Sequence, residues 1–428
     1  MKVSRRARLR SLAVLGALSI LALGLGWSAG RRHETPEPIP PVVPVAAAGQ
    51  TTRALMQEAL GLYAAGQFPR ACERFARAAD EDPGSPAHRQ DVGRCFEGWG
   101  WQALREGRPD EALLLFRQGL GETPDAPSLL KALGLAAVHA GRPGEALAPL
   151  ESAVAAEFDA EARLLLAHLY DQRDSPEPAL GHLRAVLERE PGHEAARRLL
   201  EKVEREHQAE ADFQRIVTPR FVVKYRRAHG EETRRAVVAA LDAAADRVAR
   251  ALAYAPSGRV TVVLYEQRQW EDVTRVHGWA TGLFDGKIRL PLPSTLPPVA
   301  QLERLIVHEY AHAAIHHLAR GRAPRWLHEG LAQALEGLSA DPMLRVPGSL
   351  SLAGVEALVT DADPLRARAG YDIALWVVRD LLDRGGMEAM RELLSRLGAG
   401  DGLAEAAPRV YGLGMGEIEF QWRRVLGG

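Results

Sequence analysis

The pattern of hydrophobic and polar positions first singles out residues 11–30, a run of twenty residues that contains no charge and follows five basic residues. Twenty residues in a helix rise about 30 Å, which is the thickness of the hydrocarbon core of a bilayer. The excess of basic residues before the run predicts a cytoplasmic N-terminus. We therefore predict a signal anchor or transmembrane segment at residues 1–32, with the bulk of the chain on the extracytoplasmic (periplasmic) side of the cell membrane. A cleaved signal peptide, which would leave the protein secreted, is the alternative.

Residues 33–51 have no hydrophobic period, and five prolines lie between positions 36 and 44. Proline removes backbone donors and favours an extended chain. This stretch is therefore predicted to be a semi-rigid linker between the anchor and the folded part of the protein.

Residues 52–211 repeat one pattern of helical periodicity and turns. Turn segments centred on Pro83, Pro124, Asp159 and Pro191 lie 41, 35 and 32 residues apart, and a tighter turn lies midway in each interval. A period near 34 residues with a turn in each half predicts stacked helix pairs. The pattern resembles the tetratricopeptide repeat, in about four copies with a closing helix at 194–211. Such an all-α solenoid offers a surface for a peptide or protein partner, although a purely structural spacer is the alternative.

The chain has two cysteines, Cys72 and Cys95, which lie about equally far from the turn at residues 83–84. Antiparallel helices would bring the two side chains level with each other. In an oxidising compartment they could form a disulfide, whereas free cysteines on a packing face are the alternative. Two cysteines exclude a cysteine-rich metal site.

Residues 212–428 change from a purely helical pattern to a mixed one. Two short stretches are rich in β-branched and aromatic residues, and a third has the alternation and the Asp-Gly turn of a hairpin. Five amphipathic stretches follow. We predict an α+β domain, with strands at 220–225 and 259–265, a helix at 230–254, a hairpin or edge strand at 281–293, and helices at 299–319, 324–337, 370–384, 386–397 and 415–426.

The hydrophobic stretch "LIVHEYAHAAI" at residues 305–315 carries His308, Glu309 and His312. On a helix, residues four apart lie on one face, so the two imidazoles can reach one ion. Zinc binds neutral imidazole nitrogens in tetrahedral geometry, and a glutamate beside the first histidine can accept a proton from water. H-E-x-x-H is the signature of zinc metallopeptidases.

A catalytic zinc needs a third protein ligand, and the next predicted helix supplies a candidate in Glu329. The intervening residues form a helical hairpin that returns the chain beside the histidines. The segments "HEYAHAAIHHL" and "RWLHEGLAQAL" resemble the gluzincin metallopeptidases, and among them the peptidase MA-like family. The resemblance covers about residues 215–427 and implies a zincin-like fold. Position by position, it implies that His308, His312 and Glu329 are the zinc ligands and that Glu309 is the general base.

Other polar residues near the motif have secondary places in this interpretation. His316 is predicted on the flank of the motif helix, His317 is another histidine nearby, and His328 is expected to point to solvent. Gln333, one turn after Glu329, is predicted to accept a hydrogen bond from a ligand histidine. Tyr371 is the candidate donor to the oxyanion formed during peptide hydrolysis, because enzymes of the family that the chain resembles carry a tyrosine or histidine on a following helix.

The strand around residues 283–290 is a candidate for pairing with an extended substrate, and Trp279 and Phe284 are candidates for lining its pocket. Tyr310, inside the motif, is expected to be a packing residue.

The sequence thus predicts a membrane-anchored zinc metallopeptidase with a helical-repeat arm for a substrate or partner. A non-catalytic repeat scaffold for envelope protein assembly, carrying an inert peptidase-like domain, is the alternative. The net charge of −1 provides no chain-wide field for nucleic acid, so no nucleic-acid partner is expected.

Overall fold

The structure is a computed structural model that describes residues 50–426, apart from residues 228, 257, 276–281, 293–296, 342 and 347. The predicted span at 11–30 and nearly all of the linker lie outside the described residues. No helix among the residues that are described has the length and apolar character needed to cross a membrane. The chain divides into two compact units between Glu204 and Arg205, a few residues before the boundary predicted after residue 211.

The first unit consists of helices in consecutive antiparallel pairs, as predicted. Their bounds are α1 (Gln50–Ala64) with α2 (Phe68–Glu81), α3 (Pro86–Arg105) with α4 (Pro109–Glu122), α5 (Pro127–His139) with α6 (Pro143–Ala156), and α7 (Ala160–Gln172) with α8 (Pro176–Arg189). A further helix, α9 (Glu194–Ala209), begins in this unit, and its last turn belongs to the second unit. The turns predicted within each repeat fall between the two helices of each pair.

The turn inside each pair has the same local geometry. Its middle residue has a positive φ: 70° at Gly66, 75° at Gly107, 70° at Gly141 and 56° at Asp174. Glycine adopts this left-handed conformation without steric cost, and aspartate tolerates it better than most residues. Proline then occupies the first turn of each following helix, where its missing N–H costs nothing. The repeat is therefore encoded locally at each turn.

Small residues let the helices of the first unit approach closely. Ala112, Ala146 and Ala179, which follow these turns, are fully buried. A Cβ on Gly134 would lie 2.5 Å from Cγ of Leu150, a distance that no real contact has. Small residues at these positions are therefore needed for the close packing of α5 against α6 and of the two helices in the equivalent pairs.

Cys72 and Cys95 form a disulfide between α2 and α3, with Cα atoms 5.4 Å apart. Both side chains lie in the buried core of the first helices of this unit. Of the two alternatives drawn from the sequence, the structure therefore contains the paired one.

The second unit contains a mixed sheet of five short strands. They are β1 (Gln214–Val217), β2 (Phe221–Tyr225), β3 (Val260–Glu266), β4 (Leu283–Phe284) and β5 (Ile288–Leu292), in the order β1-β2-β3-β5-β4. Strands β2, β3 and β5 are parallel, whereas β1 and β4 are antiparallel to their neighbours. The short strand β4 is therefore one edge of the sheet.

Helices make up most of the second unit. They are α10 (Glu231–Leu252), α11 (Gln267–Thr274), α12 (Val299–Leu318), α13 (Arg325–Glu336), α14 (Leu352–Val359), α15 (Pro364–Ala399), α16 (Leu403–Tyr411) and α17 (Met415–Leu426). The two helices predicted at 370–384 and 386–397 are one stretch, α15, broken at Gly386, where φ is 68°. The unit is thus mostly helical, and the prediction of a clear α+β domain was wrong. Its strands are short, and the helices α14, α15 and α16 contain more residues than the helices predicted in this region.

The two faces of the sheet have different partners. Alternate residues of β2, β3 and β5, such as Val223, Leu264 and Leu290, belong to the large core formed with the helices of this unit. The adjacent positions Lys224, Tyr265 and Arg289 therefore point to the opposite face, since side chains alternate along a strand. One face is a conventional apolar core, and the other contains buried charges.

Candidate metal centre

The hydrophobic stretch that carries the histidines lies in the middle of α12. Every residue from 306 to 315 is buried, including His308, Glu309 and His312. Burial of polar side chains without partners is costly, so these three groups require a compensating interaction.

Glu329 on α13 lies directly opposite the two histidines. Its Oε2 is 3.4 Å from Nε2 of His308 and 3.6 Å from Nε2 of His312. The ligand atoms of the three side chains all lie within 4.8 Å of one another, and each residue is at most 2% exposed. Among the described residues, this is the cluster of three or more His, Cys, Asp and Glu side chains that is compact enough to hold one ion.

The facing atoms of this cluster lack hydrogen bonds. His308 Nε2, His312 Nε2 and Glu329 Oε2 are all buried with no hydrogen-bond partner within the part of the chain that the structure describes. Two imidazole nitrogens and a carboxylate oxygen form a donor set that suits zinc. A cation between them would satisfy all three atoms at once, so the residues present fit a metal ion.

The protonation states of the clustered side chains depend on their burial and on the charges of their neighbours. Burial raises the pKa of Glu329, although the nearby His308 opposes the change. Burial, and then the positive charge of His308, lowers the pKa of His312 well below its usual value. His312 is therefore neutral near pH 7, which is the form in which an imidazole binds a metal.

Two contacts fix the position of the helix that carries Glu329. The backbone N–H groups of Arg325 and Trp326, at the start of α13, each donate to the Glu356 carboxylate over 3.0 Å. Gly330 lies against α15, where an added Cβ would lie 2.7 Å from Cγ2 of Val378. The start of α13 is thus capped by a side chain from α14, and its middle lies in close contact with α15.

Glu336 also belongs to this site, although it was not among the residues predicted from the sequence. Its Oε1 accepts a hydrogen bond from Nδ1 of His308, and both side chains are buried. Glu336 lies seven residues after Glu329, which is two helical turns, so both face α12. This seven-residue spacing is the sequence signal that could have identified Glu336. A histidine that donates Nδ1–H to a carboxylate presents Nε2 to a metal.

Gln333 does not have the role predicted for it. Its side-chain amide donates to the backbone carbonyl of Glu329 over 3.2 Å and to that of Tyr371 over 3.0 Å. The prediction of a hydrogen bond to a ligand histidine was therefore wrong, because Gln333 faces α15 rather than α12. It ties the two helices together.

Glu309, the predicted general base, lies against the edge of the sheet. A Cβ added to Gly282, the residue before β4, would lie 2.5 Å from Cδ and 2.7 Å from Cγ of Glu309. The backbone at the start of the edge strand therefore touches the Glu309 side chain. Trp279 lies outside the described residues, and the Phe284 ring is buried in the core.

Tyr371 lies in the first half of α15 and is buried. Burial raises the pKa of its hydroxyl, and the carboxylates of Glu329 and Glu309 raise it further. The hydroxyl therefore remains protonated and is able to donate. Tyr310, by contrast, packs against Phe221 and Tyr254, with ring centroids 5.8 and 6.1 Å away, as a packing residue should.

The remaining histidines do not join the cluster. His316 is exposed on the flank of α12, as expected, and His317 is exposed beside it. The expectation that His328 points to solvent was wrong, because its ring is buried 5.7 Å from that of His312. Burial, followed by the positive charge of His316, lowers the pKa of His328 to about 3. A neutral His328 therefore forms part of the wall beside His312.

Comparison with known proteins identifies a repeat family in part of the helical unit. Residues 103–169 match the tetratricopeptide repeat family, so this part of the chain contains tetratricopeptide repeats. A curated relative, the uncharacterized protein YhcO of Bacillus subtilis (strain 168), is 30% identical over 103 residues. That alignment covers 22% of this chain and 31% of the relative, so the chain spans about a third of the length of that protein.

Several solved structures of repeat proteins are similar to parts of the chain. YrrB, described as a TPR protein with an unusual peptide-binding site, is 22% identical, with 38% of this chain and 86% of that chain covered and a TM-score of 0.30. A tetratricopeptide repeat protein from Parabacteroides merdae ATCC 43184 is 14% identical, with 82% and 99% covered and a TM-score of 0.34. A thermophilic TPR protein from Thermus thermophilus, TTC0263, is 21% identical, with 36% and 98% covered and a TM-score of 0.22.

Proposed function

We propose that this protein is a zinc metallopeptidase of the gluzincin type, in which His308, His312 and Glu329 hold the metal and Glu309 is the general base. The observation that carries the proposal is the buried cluster of these three ligands, with their facing atoms lacking hydrogen bonds among the described residues. The resemblance of residues 215–427 to the peptidase MA-like family supports the same assignment.

The surroundings of the cluster favour a working centre over a chance grouping. Glu336 accepts from His308 Nδ1 and so leaves Nε2 directed at Glu329. Such supporting carboxylates are typical of metal-binding histidines. An inert relative would be expected to have lost the base or a ligand, whereas this chain retains all four residues.

When bound, zinc would act as a Lewis acid toward the scissile carbonyl and the attacking water. Glu309 takes the proton of that water at a carboxylate oxygen and later delivers it to the leaving amine nitrogen. Tyr371, whose hydroxyl stays protonated, donates a hydrogen bond to the carbonyl oxygen as negative charge develops on it. The edge strand β4, adjoining Glu309 through Gly282, offers backbone groups to an extended peptide.

The repeat unit supplies a surface on which a protein substrate or partner binds, as is usual for stacked helix pairs. We further propose that residues 11–30 anchor the protein in the cell membrane with the bulk of the chain on the periplasmic side. The Cys72–Cys95 disulfide supports this location, because disulfides persist in oxidising compartments.

The proposal is tested with the full-length protein in detergent, in wild-type form and as Glu309→Gln. Bound zinc is measured by metal analysis, and cleavage is measured with casein. We expect about one zinc per chain in both proteins, with cleavage by the wild type and at least about a hundredfold loss in the variant. Glu303→Gln is the matched control, since Glu303 lies on the same helix but is exposed.

Two results would contradict the proposal. Absence of zinc from the wild type, even after incubation with the metal, would remove the metal centre. Bound zinc without cleavage of any protein substrate would instead favour the alternative, a repeat scaffold with an inert peptidase-like unit. The tetratricopeptide repeats at residues 103–169 would then carry the function.

A further inference from the structure

A second group of buried polar side chains lies on the face of the sheet opposite to α12 and α13, the helices that carry the candidate metal ligands. Arg289, on β5, is completely buried. Its guanidinium donates to Glu206 over 2.7 Å, to the Tyr265 hydroxyl over 2.7 Å and to Asp285 over 3.1 Å, and it lies 3.4 Å from Glu210.

Two lysines complete this group. Lys224, on β2, donates to Glu210, and Nζ of Lys287 lies 3.6 Å from Glu206. We call these seven residues the Arg289 network: Glu206, Glu210, Lys224, Tyr265, Asp285, Lys287 and Arg289. Its three cations match its three carboxylates. Burial raises the pKa of Glu210, but the charges of Arg289 and the two lysines together lower it by more, so the carboxylate remains ionised.

Stability alone does not account for such a network. Removing charges from water costs several kcal/mol per ion, and replacing a buried ion pair by apolar residues is often neutral or stabilising. Buried polar networks of this kind can instead specify a single arrangement of the elements that they join. The elements joined here therefore indicate its role.

The Arg289 network joins the β4–β5 hairpin to the chain around the end of α9. Asp285 and Lys287 lie in the hairpin turn, and Arg289 follows on β5. Glu206 lies in the last turn of α9, and Glu210 directly follows that helix. The hairpin turn and β5 are thus held by two carboxylates from one short segment.

The same hairpin reaches the candidate active site at its other end. Gly282 precedes β4 and touches Glu309, and β4 pairs with β5 so that Leu283 lies opposite Arg289. A shift of the hairpin would therefore change the distance between the edge strand and the general base. A displaced edge strand would form weaker backbone hydrogen bonds with an extended peptide, so the affinity for the substrate would fall.

We propose that the Arg289 network positions the β4–β5 hairpin so that the edge strand binds an extended peptide substrate beside Glu309. Arg289 is a positioning residue, since it acts on the substrate through the hairpin, and its partners named above are not metal ligands. The proposal rests on the peptidase function, and it assigns substrate alignment to residues outside the metal centre.

The test compares the wild type with Arg289→Met and with the double variant Arg289→Met/Glu206→Met, all full-length. The double variant removes one charge of each sign, so the numbers of buried cations and carboxylates stay equal, whereas the single variant leaves an excess of buried negative charge that could unfold the protein. We expect folded protein with unchanged bound zinc, KM for a peptide substrate raised about tenfold, kcat changed less than about twofold, and faster amide hydrogen exchange at residues 283–292. Arg384→Met is the control, because Arg384 pairs with Asp380 on α15, outside the network.

An unchanged KM in the folded double variant, with hydrogen exchange in the hairpin as slow as in the wild type, would overturn this inference and leave the peptidase proposal intact. A change in bound zinc would also overturn it, because the network would then support the metal centre rather than the hairpin. A wild type that binds zinc but cleaves no peptide would refute the proposed function itself, and the assignment of substrate alignment would fall with it.

Discussion

Replacing Glu336 tests whether the second carboxylate of α13 orients His308, the proposed metal ligand. In the structure, Oε1 of Glu336 accepts from Nδ1 of His308, while Nε2 of the same ring lies 3.4 Å from Glu329. Glu336→Gln retains an acceptor but removes the charge. Glu336→Leu removes both. The two variants therefore separate the hydrogen bond from the charge.

The size of the effect follows from burial. Glu336 is 6% exposed and His308 2%, so water cannot replace the lost acceptor. An unpaired buried N–H costs about 1–3 kcal/mol, and each 1.4 kcal/mol corresponds to about a factor of ten in affinity. Loss of a carboxylate behind a metal-binding histidine typically weakens metal binding by about 10–100-fold. We expect zinc affinity to fall about tenfold in Glu336→Gln and by closer to about a hundredfold in Glu336→Leu.

The measurement is a competition for zinc between the purified protein and a chromophoric chelator of known affinity. It requires no peptidase activity. Glu356→Gln is the matched control, because Glu356 caps the same helix through Arg325 and Trp326 and not through His308. We expect this control to lower the melting temperature while leaving zinc affinity within about twofold of the wild type, since the ligand atoms keep their positions.

An orienting role for Glu336 is excluded if folded Glu336→Leu binds zinc as tightly as the wild type. This role is also excluded if Glu356→Gln weakens zinc binding as much as Glu336→Gln does. The effect of Glu336 would then reflect the general stability of α13 and not the orientation of one ring.

Three further predictions follow from contacts in the same structure. Gly282→Ala should lower the rate of cleavage at least about tenfold while zinc remains bound, because the new Cβ collides with Glu309. Near-normal cleavage in a kinetic assay would contradict this prediction, because the edge strand would then have moved without loss of activity. Tyr371→Phe should lower kcat about 10²-fold with KM and zinc content nearly unchanged, and a variant affected only in KM would exclude the oxyanion role. Reduction of the disulfide between Cys72 and Cys95, which are 23 residues apart in sequence, should destabilise the repeat unit by about 3 kcal/mol. Calorimetry measures this, with Cys72→Ser/Cys95→Ser as the control that the reductant should not affect; an unchanged wild-type transition after reduction would contradict the prediction.

Much of the repeat unit could be predicted because its signals are local. Gly66, Gly107 and Gly141 have the left-handed conformation that follows the first helix of a pair, and a proline starts the next helix. Asp174 takes the same conformation without being glycine, and the prolines after it still mark the turn. Each of these turns and helix starts depends on residues within one or two helical turns of each other, so a single sequence is enough to predict it.

The second unit was harder to predict because its fold depends on distant pairing. The strand β1 has four residues, mostly exposed, and exists because Gln214–Val217 pairs with β2. Nothing in its hydrophobic pattern indicates that pairing. Helix α14 was missed for a similar reason, although one of its residues, Glu356, caps the helix that carries Glu329.

The amino-acid order alone specifies which side chains of the candidate centre share a helix face, because the spacing of His308 and His312 follows from 3.6 residues per turn. It also placed Glu329 one helical hairpin away. Tertiary packing decided that Glu336, and not Gln333, is the partner of His308. Gln333 and Glu336 lie four and seven residues after Glu329, so their positions on the helix are similar. Because α13 packs between α12 and α15, Glu336 faces His308 on α12 while Gln333 contacts the backbone of α15. The same holds for the Arg289 network, whose members come from separate segments of the chain. Local geometry depends on neighbouring residues, whereas the partner of a buried polar group depends on how whole helices and strands pack.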